Sequence, residues 1–141
     1  MMCKNWYALQ GLEEVTIDFL ISAGFRPSIE PYWVNKEGTI VLKVRKHDGK
    51  WLAREMKQGI QNKRIVAYGK EYIVPCYVQV GGHFVHRLVA HAFLGPCPKG
   101  MEVDHIDDDM LNNNANNLRY VTHEENLRKK VGKKYKSRKT I

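Results

Sequence analysis

Residues 103–126 read VDHIDDDMLNNNANNLRYVTHEEN, and more of the fold can be inferred from this stretch than from any other. Two apolar segments, 103–106 and 118–121, have the composition of short strands, and a polar, asparagine-rich loop joins them. Thr122 is followed three residues later by a glutamate, which is the capping-box pattern of a helix start. The stretch therefore predicts a strand, a loop, a second strand and a helix over about 123–131.

Upstream of this stretch the spacing of apolar residues changes twice. Residues 12–23 have helical spacing, which predicts a short amphipathic helix. From about 32 to 85, short apolar segments separated by glycines predict strands, with a hairpin turn at Asp48-Gly49. Helical spacing returns at His86 and ends at Gly95-Pro96. We therefore expect an α+β fold, in which a small β-rich N-terminal module precedes the strand-strand-helix core.

The composition of the chain is that of a small globular protein. The chain has 141 residues, of which 43% are hydrophobic, so it can build the core of one domain, or of one domain with a small annex. Its apolar runs fall far short of the roughly 18–20 residues that cross a bilayer, and no secretory signal is apparent. The three cysteines (Cys3, Cys76 and Cys97) are scattered and form no CxxC pair, which predicts free thiols rather than disulfides or a structural zinc site.

Charge is distributed unevenly along the chain. Residues 36–70 contain ten basic and three acidic side chains, residues 71–126 three basic and eight acidic, and residues 127–141 eight basic and none acidic. Basic segments attract phosphate, whereas carboxylates beside phosphate repel it unless a cation lies between them. An acidic segment between basic ones is consistent with a metal site that faces a polyanion, or simply with a solvated acidic loop beside a solvated basic tail.

Four polar side chains fall at the junctions of the predicted elements: Asp104, His105, Asn117 and Asn126. Carboxylate and carboxamide oxygens are ligands that suit Mg²⁺ or Mn²⁺. A histidine beside them can accept a proton from water, and another polar side chain must then hold its imidazole in one orientation. Together these residue types favour metal-assisted attack of water on a phosphodiester.

These residues and their spacing resemble a known family. The segments 103–107, 111–113, 117–119, 121–122 and 125–126 resemble the HNH motif of the His-Me finger (ββα-metal) endonucleases, and are most similar to the phage- and intron-associated HNH homing endonucleases. The resemblance covers about 83–129, including the helical segment 85–93. It is weaker over 31–82, where 32–40 looks like the β-rich module that often precedes HNH, and 1–30 show none.

The resemblance implies a role for each of the four residues. Asp104 and Asn126 would be the protein ligands of one divalent cation. His105 would be the general base, and Asn117 would hold its imidazole. Asparagine stands at 126 where many HNH enzymes have histidine, and an all-oxygen site should favour Mg²⁺ or Mn²⁺ over Ni²⁺ or Zn²⁺. One difficulty is that adjacent strand residues point to opposite faces, so Asp104 and His105 can serve one site only where the strand ends or distorts.

The function that the resemblance implies is that of a metal-dependent DNA endonuclease of homing type, with nicking as the simplest outcome for a monomer. A non-specific HNH nuclease and a catalytically silent DNA-binding module of the same fold are the alternatives. The expected partner is DNA, with no membrane and no structural zinc, and the expected state is a monomer or weak dimer. The expected location is the cytoplasm, that of the host cell if a phage encodes the chain.

Two sets of basic residues are candidates for DNA contact, and the alternative for each is a solvated surface. One set follows the HNH motif and comprises Arg128, Lys129, Lys130, Lys133 and Lys134. The other flanks the predicted hairpin turn and includes Lys43, Arg45 and Lys46. The predicted organisation is an N-terminal helical segment (1–30), a β-rich basic module (31–82), an HNH core (83–131) and a basic, flexible tail (132–141).

Other polar residues in this part of the chain are expected to have structural roles. The three aspartates at 107–109 fit turn or solvated positions, and Asp107 in particular could order the loop. His123 lies one helical turn before Asn126 and could approach the metal, although a neutral role is more usual at a helix start. His86 and His91 are expected to make packing or polar contacts.

Overall fold

The computed structural model describes residues 11–129. Within this range the chain forms ten strands, three helices and a 3-10 turn. The strands are β1 (Glu13–Val15), β2 (Phe25–Pro27), β3 (Tyr32–Asn35), β4 (Val41–His47), β5 (Lys50–Glu55), β6 (Gly59–Ala67), β7 (Lys70–Val80), β8 (His83–Phe84), β9 (Met101–His105) and β10 (Leu118–Thr122). The helices are α1 (Ile17–Ser22), α2 (Val85–Leu94) and α3 (123–129), and the 3-10 turn is Ala115–Asn117.

The first five strands form one antiparallel sheet in the order β1-β5-β4-β3-β2. Its central hairpin turns at Asp48-Gly49, as predicted, and both residues have positive φ (50° and 73°). Consecutive positive φ values match the right-handed twist of the two strands, and the Asp-Gly pair adopts them readily.

The first helix is shorter than predicted. Residues 13–15 form a strand that pairs with β5, and only Ile17–Ser22 are helical, so the prediction of a helix over 12–23 is wrong in its first part. Thr16 caps the helix, because its Oγ1 accepts a hydrogen bond from the amide of Phe19 at 3.1 Å. The spacing of apolar residues at 12–15 fits a strand as well as a helix. Hydrogen bonds to a neighbouring strand then favour the strand.

A long hairpin and a short strand form the second sheet, in the order β6-β7-β8. Strands β6 and β7 pair from Gly59↔Gln79 to Ala67↔Lys70, with an irregularity between Gln61 and Asn62. The two apolar segments 71–74 and 77–80 both lie within β7. The proline between them, Pro75, falls next to the register shift, where a ladder hydrogen bond is not required.

The two faces of the first sheet pack against different parts of the chain. One face packs with α1 around a small core of Leu20, Val44 and Ala53. The other face contributes to a larger core, which joins residues from β3, β4 and β7 to α2 and to the segment 115–118; this core comprises Tyr32, Val34, Val41, Val78, Val80, Val85, Leu88, Val89, Ala90, Ala115 and Leu118.

The predicted division of the chain into segments does not follow these packing units. Strands β1 and β2 precede residue 31 but belong to the same sheet as β3–β5. The large core likewise spans the predicted boundary at 82, with Val80 on one side and Val85 on the other, both almost fully buried. The β-rich part and the strand-strand-helix part are therefore one packed structure.

The predicted strand-loop-strand-helix unit is confirmed within the described residues. Strands β9 and β10 pair antiparallel from Met101↔Thr122 to His105↔Leu118. The capping box is also present: Thr122 Oγ1 accepts from the Glu125 amide, and a Glu125 carboxylate oxygen accepts from the Thr122 amide, both at 3.2 Å. The α+β prediction is likewise confirmed by the mixture of sheets and helices.

Some predicted features lie outside the described residues. These are Cys3, the last two residues of the predicted final helix, the basic tail 132–141, and the candidate DNA contacts Lys130, Lys133 and Lys134. Cys76 and Cys97 are free thiols. Over residues 11–129, no helix has both the length and the apolar character needed to cross a membrane.

Candidate active site

Two candidate functional residues, Asp104 and His105, are consecutive at the end of β9. Asp104 is opposite Arg119 and His105 is opposite Leu118 in the β9-β10 ladder. Both are buried, at 7% and 3% exposure. Because side chains alternate along a strand, the carboxylate of Asp104 and the imidazole of His105 point to opposite faces of the ribbon, and the strand ends immediately after them.

Two cations of the chain hold the carboxylate of Asp104. Arg119 donates from Nε to Oδ2 at 2.9 Å. The Lys129 ammonium, which extends from α3, lies 3.0 Å from both carboxylate oxygens. The buried carboxylate is therefore paired with two positive groups and is not an isolated charge in the interior.

The Lys129 ammonium is surrounded by oxygens beyond those of Asp104. It lies 2.7 Å from a carboxylate oxygen of Asp108 and 2.7 Å from the backbone carbonyl oxygen of His105, and 3.5 Å from that of Ile106. Burial by itself would lower the pKa of Lys129, but the hydrogen bonds to Asp108 and Asp104 outweigh it, so the pKa is raised above its usual value. The ammonium is therefore charged throughout the physiological range.

Asn126 lies on α3 beside this carboxylate. Asp104, Asn126 and Lys129 line a cavity of about 350 Å³, together with Arg119, Val121 and Glu125. The Nδ2 of Asn126 donates to the carboxylate of Glu102. Asn126 also lines a second cavity of about 610 Å³ on the side of His86, so it lies between the two. The two predicted metal ligands thus line one cavity.

His105 is held on the other face by Asn113. The Nε2 of His105 lies 2.9 Å from Oδ1 of Asn113, whose side chain is 4% exposed. A carboxamide oxygen only accepts hydrogen bonds, so with this orientation of the amide Nε2 carries the proton and Nδ1 keeps its lone pair. The arrangement leaves His105 with one ring nitrogen that can accept a proton.

The prediction that Asn117 holds this imidazole is wrong. Its side chain instead closes the loop: Nδ2 donates to Asp107 Oδ1 at 2.8 Å and to the Asn112 carbonyl oxygen at 2.9 Å, and Oδ1 accepts from the Asp107 amide at 3.0 Å. Asn117 is the last residue before β10 and Asp107 follows β9 by two, so these bonds join the two ends of the loop. The asparagine that reaches the imidazole lies deeper in the loop, at Asn113.

Asp107 orders the loop, as expected. Besides Asn117 it accepts from the Asn112 side chain at 2.9 Å and from the Asp109 amide at 2.8 Å. These hydrogen bonds, that of Asn112 first, lower the pKa of the Asp107 carboxyl. Local bonds of this kind explain why the loop is so rich in asparagine and aspartate.

The turn between β3 and β4 contacts the asparagine-rich loop that contains Asn113. The Ala115 amide donates to the carbonyl oxygen of Lys36 at 2.8 Å. Gly38 has φ of +70°, and a Cβ at this position would collide with the carbonyl of Asn113 and lie 2.8 Å from its Cβ. Asn35 holds the turn by accepting from the amides of Thr39 and Ile40 at 3.0 and 2.9 Å. Residues of the β-rich part therefore set the position of Asn113.

His86 packs beside His105. The two rings are 5.0 Å apart in an edge-to-face arrangement, and His86 also packs against Phe84 and Tyr77 at 5.5 and 5.2 Å. Burial, followed by the charges of His105 and Arg87, lowers the pKa of His86 to about 3. The expectation of a packing role for His86 is confirmed, and its buried Nδ1 has no hydrogen-bond partner.

Asn113 and His86 are functional candidates that the motif did not single out. Asn113 lies among five asparagines within 112–117, and nothing in that composition separates it from the others. His86 is distant in sequence, and only the packing of α2 against β9 brings it to His105. No local sequence signal could have found either.

The described candidate DNA-contact residues differ in their surroundings. Lys129 is engaged by Asp104 and Asp108, whereas Arg128 is exposed, with Nη2 4.0 Å from a carboxylate oxygen of Glu124. Lys43 and Arg45 are two residues apart on β4 and so share a sheet face. Lys46 lies on the opposite face, with its ammonium 5.5 Å from the Trp51 ring centroid.

The donor atoms around Lys129 suit a hard cation. Two carboxylates and a backbone carbonyl are oxygen ligands of the type that Mg²⁺ prefers, and here they already hold a positively charged group. Among the described residues no three His, Cys, Asp or Glu side chains are grouped closely enough to hold a metal ion by themselves. A cation at Asp104 would therefore depend on the Asn126 amide and on water as well.

A family model described as HNH endonuclease matches residues 83–128, which include β8, α2, β9, β10 and most of α3. These residues belong to the HNH endonuclease family. Within this HNH segment lie Asp104, His105, Asn113, Asn117 and Asn126.

Two known proteins are similar over a longer part of the chain. One is the "SPbeta prophage-derived putative HNH homing endonuclease YosQ" of Bacillus subtilis (strain 168), which is 37% identical over 98 residues, or 68% of this chain and 50% of the relative. The other is a solved structure of DNA binding and cleavage by the HNH homing endonuclease I-HmuI, with a TM-score of 0.47, 28% identity and coverage of 74% of this chain and 53% of that one. The chain spans about half the length of each.

Proposed function

We propose that this protein is a metal-dependent DNA endonuclease that hydrolyses phosphodiester bonds. The observation that carries the proposal is the end of β9, where Asp104 and His105 are buried on the two faces of the ribbon inside an HNH segment. A phosphodiester lying across this strand end can meet a carboxylate on one side and an imidazole on the other. The arrangement therefore suits attack by a water molecule on phosphorus.

His105 acts as the general base. The Asn113 side chain accepts from Nε2 and so holds the imidazole in the tautomer whose Nδ1 is unprotonated. From that nitrogen the imidazole takes a proton as the water attacks, and the resulting imidazolium keeps its bond to the Asn113 oxygen. Asn113 is a positioning residue in this scheme, and Asn117 positions the loop that carries it.

Asp104 and Asn126 line the same cavity and would be the protein ligands of the divalent cation. When bound, the cation stabilises the negative charge that develops on the phosphate oxygens and on the leaving oxygen. Asp104 is preorganised for this task by burial and by Arg119, which fixes its Oδ2. Both protein ligands are oxygens, so Mg²⁺ and Mn²⁺ should support more activity than Zn²⁺ or Ni²⁺.

DNA contact is assigned to basic residues of β4 and α3. Lys43 and Arg45 lie on the sheet face whose neighbours Val34 and Val41 pack in the large core with α2, which is the core that also contains Leu118 of β10. Arg128 is exposed on α3, next to the cavity of Asp104. Basic side chains on these surfaces can neutralise phosphates on both sides of the bond that is cut.

A homing-type role and nicking by a monomer are the finer parts of the proposal. One HNH segment offers one set of Asp104, His105 and Asn126, which can engage one strand at a time. The similarity to a relative named as a homing endonuclease supports a role on a defined target site. Cleavage mapping on a long mixed-sequence duplex tests this: cuts at a few fixed positions support it, and a smear supports a non-specific nuclease.

The decisive experiment is a supercoiled-plasmid assay with Mg²⁺ or with EDTA. Conversion to open circle in Mg²⁺ alone, lost in His105→Ala but retained in His123→Ala, is the expected result. His123 is a suitable control because its side chain is 70% exposed and its ring faces Glu102. A purified protein that binds the same plasmid in a gel shift, yet leaves it supercoiled in Mg²⁺ and Mn²⁺, would instead be a DNA-binding module without catalysis.

A further inference from the structure

The Lys129 ammonium has the surroundings of a bound metal ion. Four oxygens lie within 3.0 Å of it: both carboxylate oxygens of Asp104, one of Asp108 and the His105 carbonyl. A lysine ammonium on the surface can be solvated by water, whereas a hard metal cation is typically surrounded by several oxygen ligands. Asp104, the ligand on which the proposed metal site depends, therefore already holds a cation that belongs to the chain.

Electrostatics prevents the ammonium and a divalent cation from sharing this position. Arg119 already neutralises part of the Asp104 charge at 2.9 Å, so a second and third positive group around one buried carboxylate would repel each other. Asp104 is buried at the end of β9 and cannot move away. Lys129 can move, because its ammonium is carried by a flexible four-carbon chain that is 22% exposed.

We propose that Lys129 holds the cation position of Asp104 in the free protein and leaves it when a divalent cation binds. This inference rests on the proposed function, because it concerns the same metal site. The lysine pairs with the Asp104 carboxylate and holds it in place, so the site remains formed without metal. When a metal ion displaces Lys129 from Asp104, the lysine ammonium is left beside the cavity, where it can pair with a DNA phosphate.

Exchange of this kind couples metal binding to DNA binding. A metal ion that displaces Lys129 makes it available to phosphate, and a phosphate that attracts Lys129 opens Asp104 to the metal; by linkage the two effects are equal. The basic side chain predicted to contact DNA and the one that pairs with Asp104 are then the same residue in two states.

The test measures Mn²⁺ binding without DNA, by the electron paramagnetic resonance signal of free Mn²⁺, on the full chain. Three proteins are compared: the unaltered chain, Lys129→Met and Arg128→Met. Each variant removes one positive charge from neighbouring positions of α3, but the Arg128 side chain is exposed and pairs only loosely with Glu124. Lys129→Met should bind Mn²⁺ at least about fivefold more tightly, and Arg128→Met should change affinity less than about twofold.

A second substitution assigns the effect to the site. Adding Asp104→Asn to Lys129→Met should abolish the gain in Mn²⁺ affinity, because the metal ion then has no carboxylate to bind at position 104. Circular dichroism and thermal melting of each variant exclude misfolding as the cause. An equal gain in both single variants would reduce the effect to net charge and overturn the proposal. Weaker binding by Lys129→Met, or no Mn²⁺ binding by any variant, would overturn it too.

The outcome is independent of whether the protein cleaves DNA. If Lys129→Met gains Mn²⁺ affinity but the plasmid is never nicked, the exchange stands and the nuclease proposal fails. If the plasmid is nicked in Mg²⁺ but Mn²⁺ affinity does not respond to Lys129→Met, the nuclease proposal stands and the exchange is wrong.

Discussion

His105 and Asp104 are adjacent in the chain but are held by different groups. The imidazole is bound by Asn113 and packs against His86, whereas the carboxylate is bound by Arg119 and Lys129. Lys129 also contacts the His105 backbone carbonyl oxygen, but the imidazole and the carboxylate share no partner, so the proposed base and the proposed metal ligand can be altered independently. This separation makes the role of each neighbour testable by single substitutions.

Asn113→Ala should lower the rate of plasmid nicking by about 10- to 100-fold, because the imidazole loses the acceptor that fixes its tautomer. Asn113→Asp keeps an oxygen acceptor, so it should recover part of the activity, and its negative charge should shift the acid limb of the pH–rate profile upward. Asn116→Ala, an exposed asparagine in the same loop, is the matched control and should leave the rate unchanged. Equal nicking rates for Asn113→Ala and the unaltered protein would show that Asn113 does not position the His105 imidazole for catalysis.

His86 should make the folded state sensitive to acid. Its pKa is about 3 in the folded protein and near 6.5 when unfolded, so between these values the unfolded state binds more protons. Stability should therefore fall as pH decreases from about 6.5, by up to about 1.4 kcal/mol per pH unit from this residue. His86→Phe keeps the ring contacts and removes the titrating nitrogen, and chemical denaturation at pH 7, 6 and 5 should show a flatter pH dependence.

The control for this prediction is His123→Phe, which alters an exposed histidine on α3. It should leave the slope of stability against pH as it is in the unaltered protein. If His86→Phe loses as much stability between pH 7 and pH 5 as the unaltered protein does, His86 is not the acid-sensitive group.

Among the described elements, the turn between β3 and β4 contacts the asparagine-rich loop of the HNH segment. Gly38 in this turn lies so close to Asn113 that no side chain fits between them. The Ala115 amide bonds to the same turn at Lys36. The turn thus acts as a platform on which the asparagine-rich loop is positioned.

Gly38→Ala should therefore reduce nicking more than it reduces stability, because it displaces Asn113 and with it the imidazole. Gly49→Ala is the matched control: Gly49 has nearly the same φ (+73° against +70°), but a Cβ there meets nothing within 4 Å. Both variants carry the backbone cost of a left-handed alanine, about 1 kcal/mol. Thermal melting and plasmid nicking measured on both separate strain from displacement, and equal activity in the two would contradict the platform role.

At the level of the whole molecule, one hydrophobic core connects parts that look separate in the sequence. Val34 of β3 is fully buried among residues of α2 and β7. The HNH segment therefore depends on the preceding sheet for its own packing, and we expect the described part of the chain to unfold as one unit.

Val34→Ala should destabilise the protein by roughly 2 kcal/mol, because it leaves a cavity in the shared core. Calorimetry should show a single transition that moves to lower temperature as a whole, and nicking should be lost in the same transition. The exposed Val66, 72% accessible on the β6-β7 hairpin, gives the control Val66→Ala, which should change stability little. Two separate transitions, only one of them shifted by Val34→Ala, would show that the two parts fold independently.

Part of the acidic segment is neutralised within the fold. Asp104 and Asp108 pair with Lys129, and Asp107 holds the loop together. The segment that composition marks as acidic is thus a scaffold around one cation position, with exposed basic residues on neighbouring surfaces. Charge counted along the chain was consistent with a cation between carboxylates and phosphate, or with a solvated acidic loop, but it did not show that a lysine of the chain pairs with Asp104 and Asp108.

Local patterns in the sequence were sufficient for the strands β9 and β10, the capping box at Thr122 and the Asp48-Gly49 hairpin, because neighbours along the chain determine each of them. The same patterns placed Asp104 and His105 at a strand end. They did not determine where α1 begins or which side chain holds the His105 imidazole, because each depends on contacts between distant segments. Asn113 is set apart from its neighbouring asparagines by the β3-β4 turn beneath it, and Lys129 reaches Asp104 only because α3 folds back over β9.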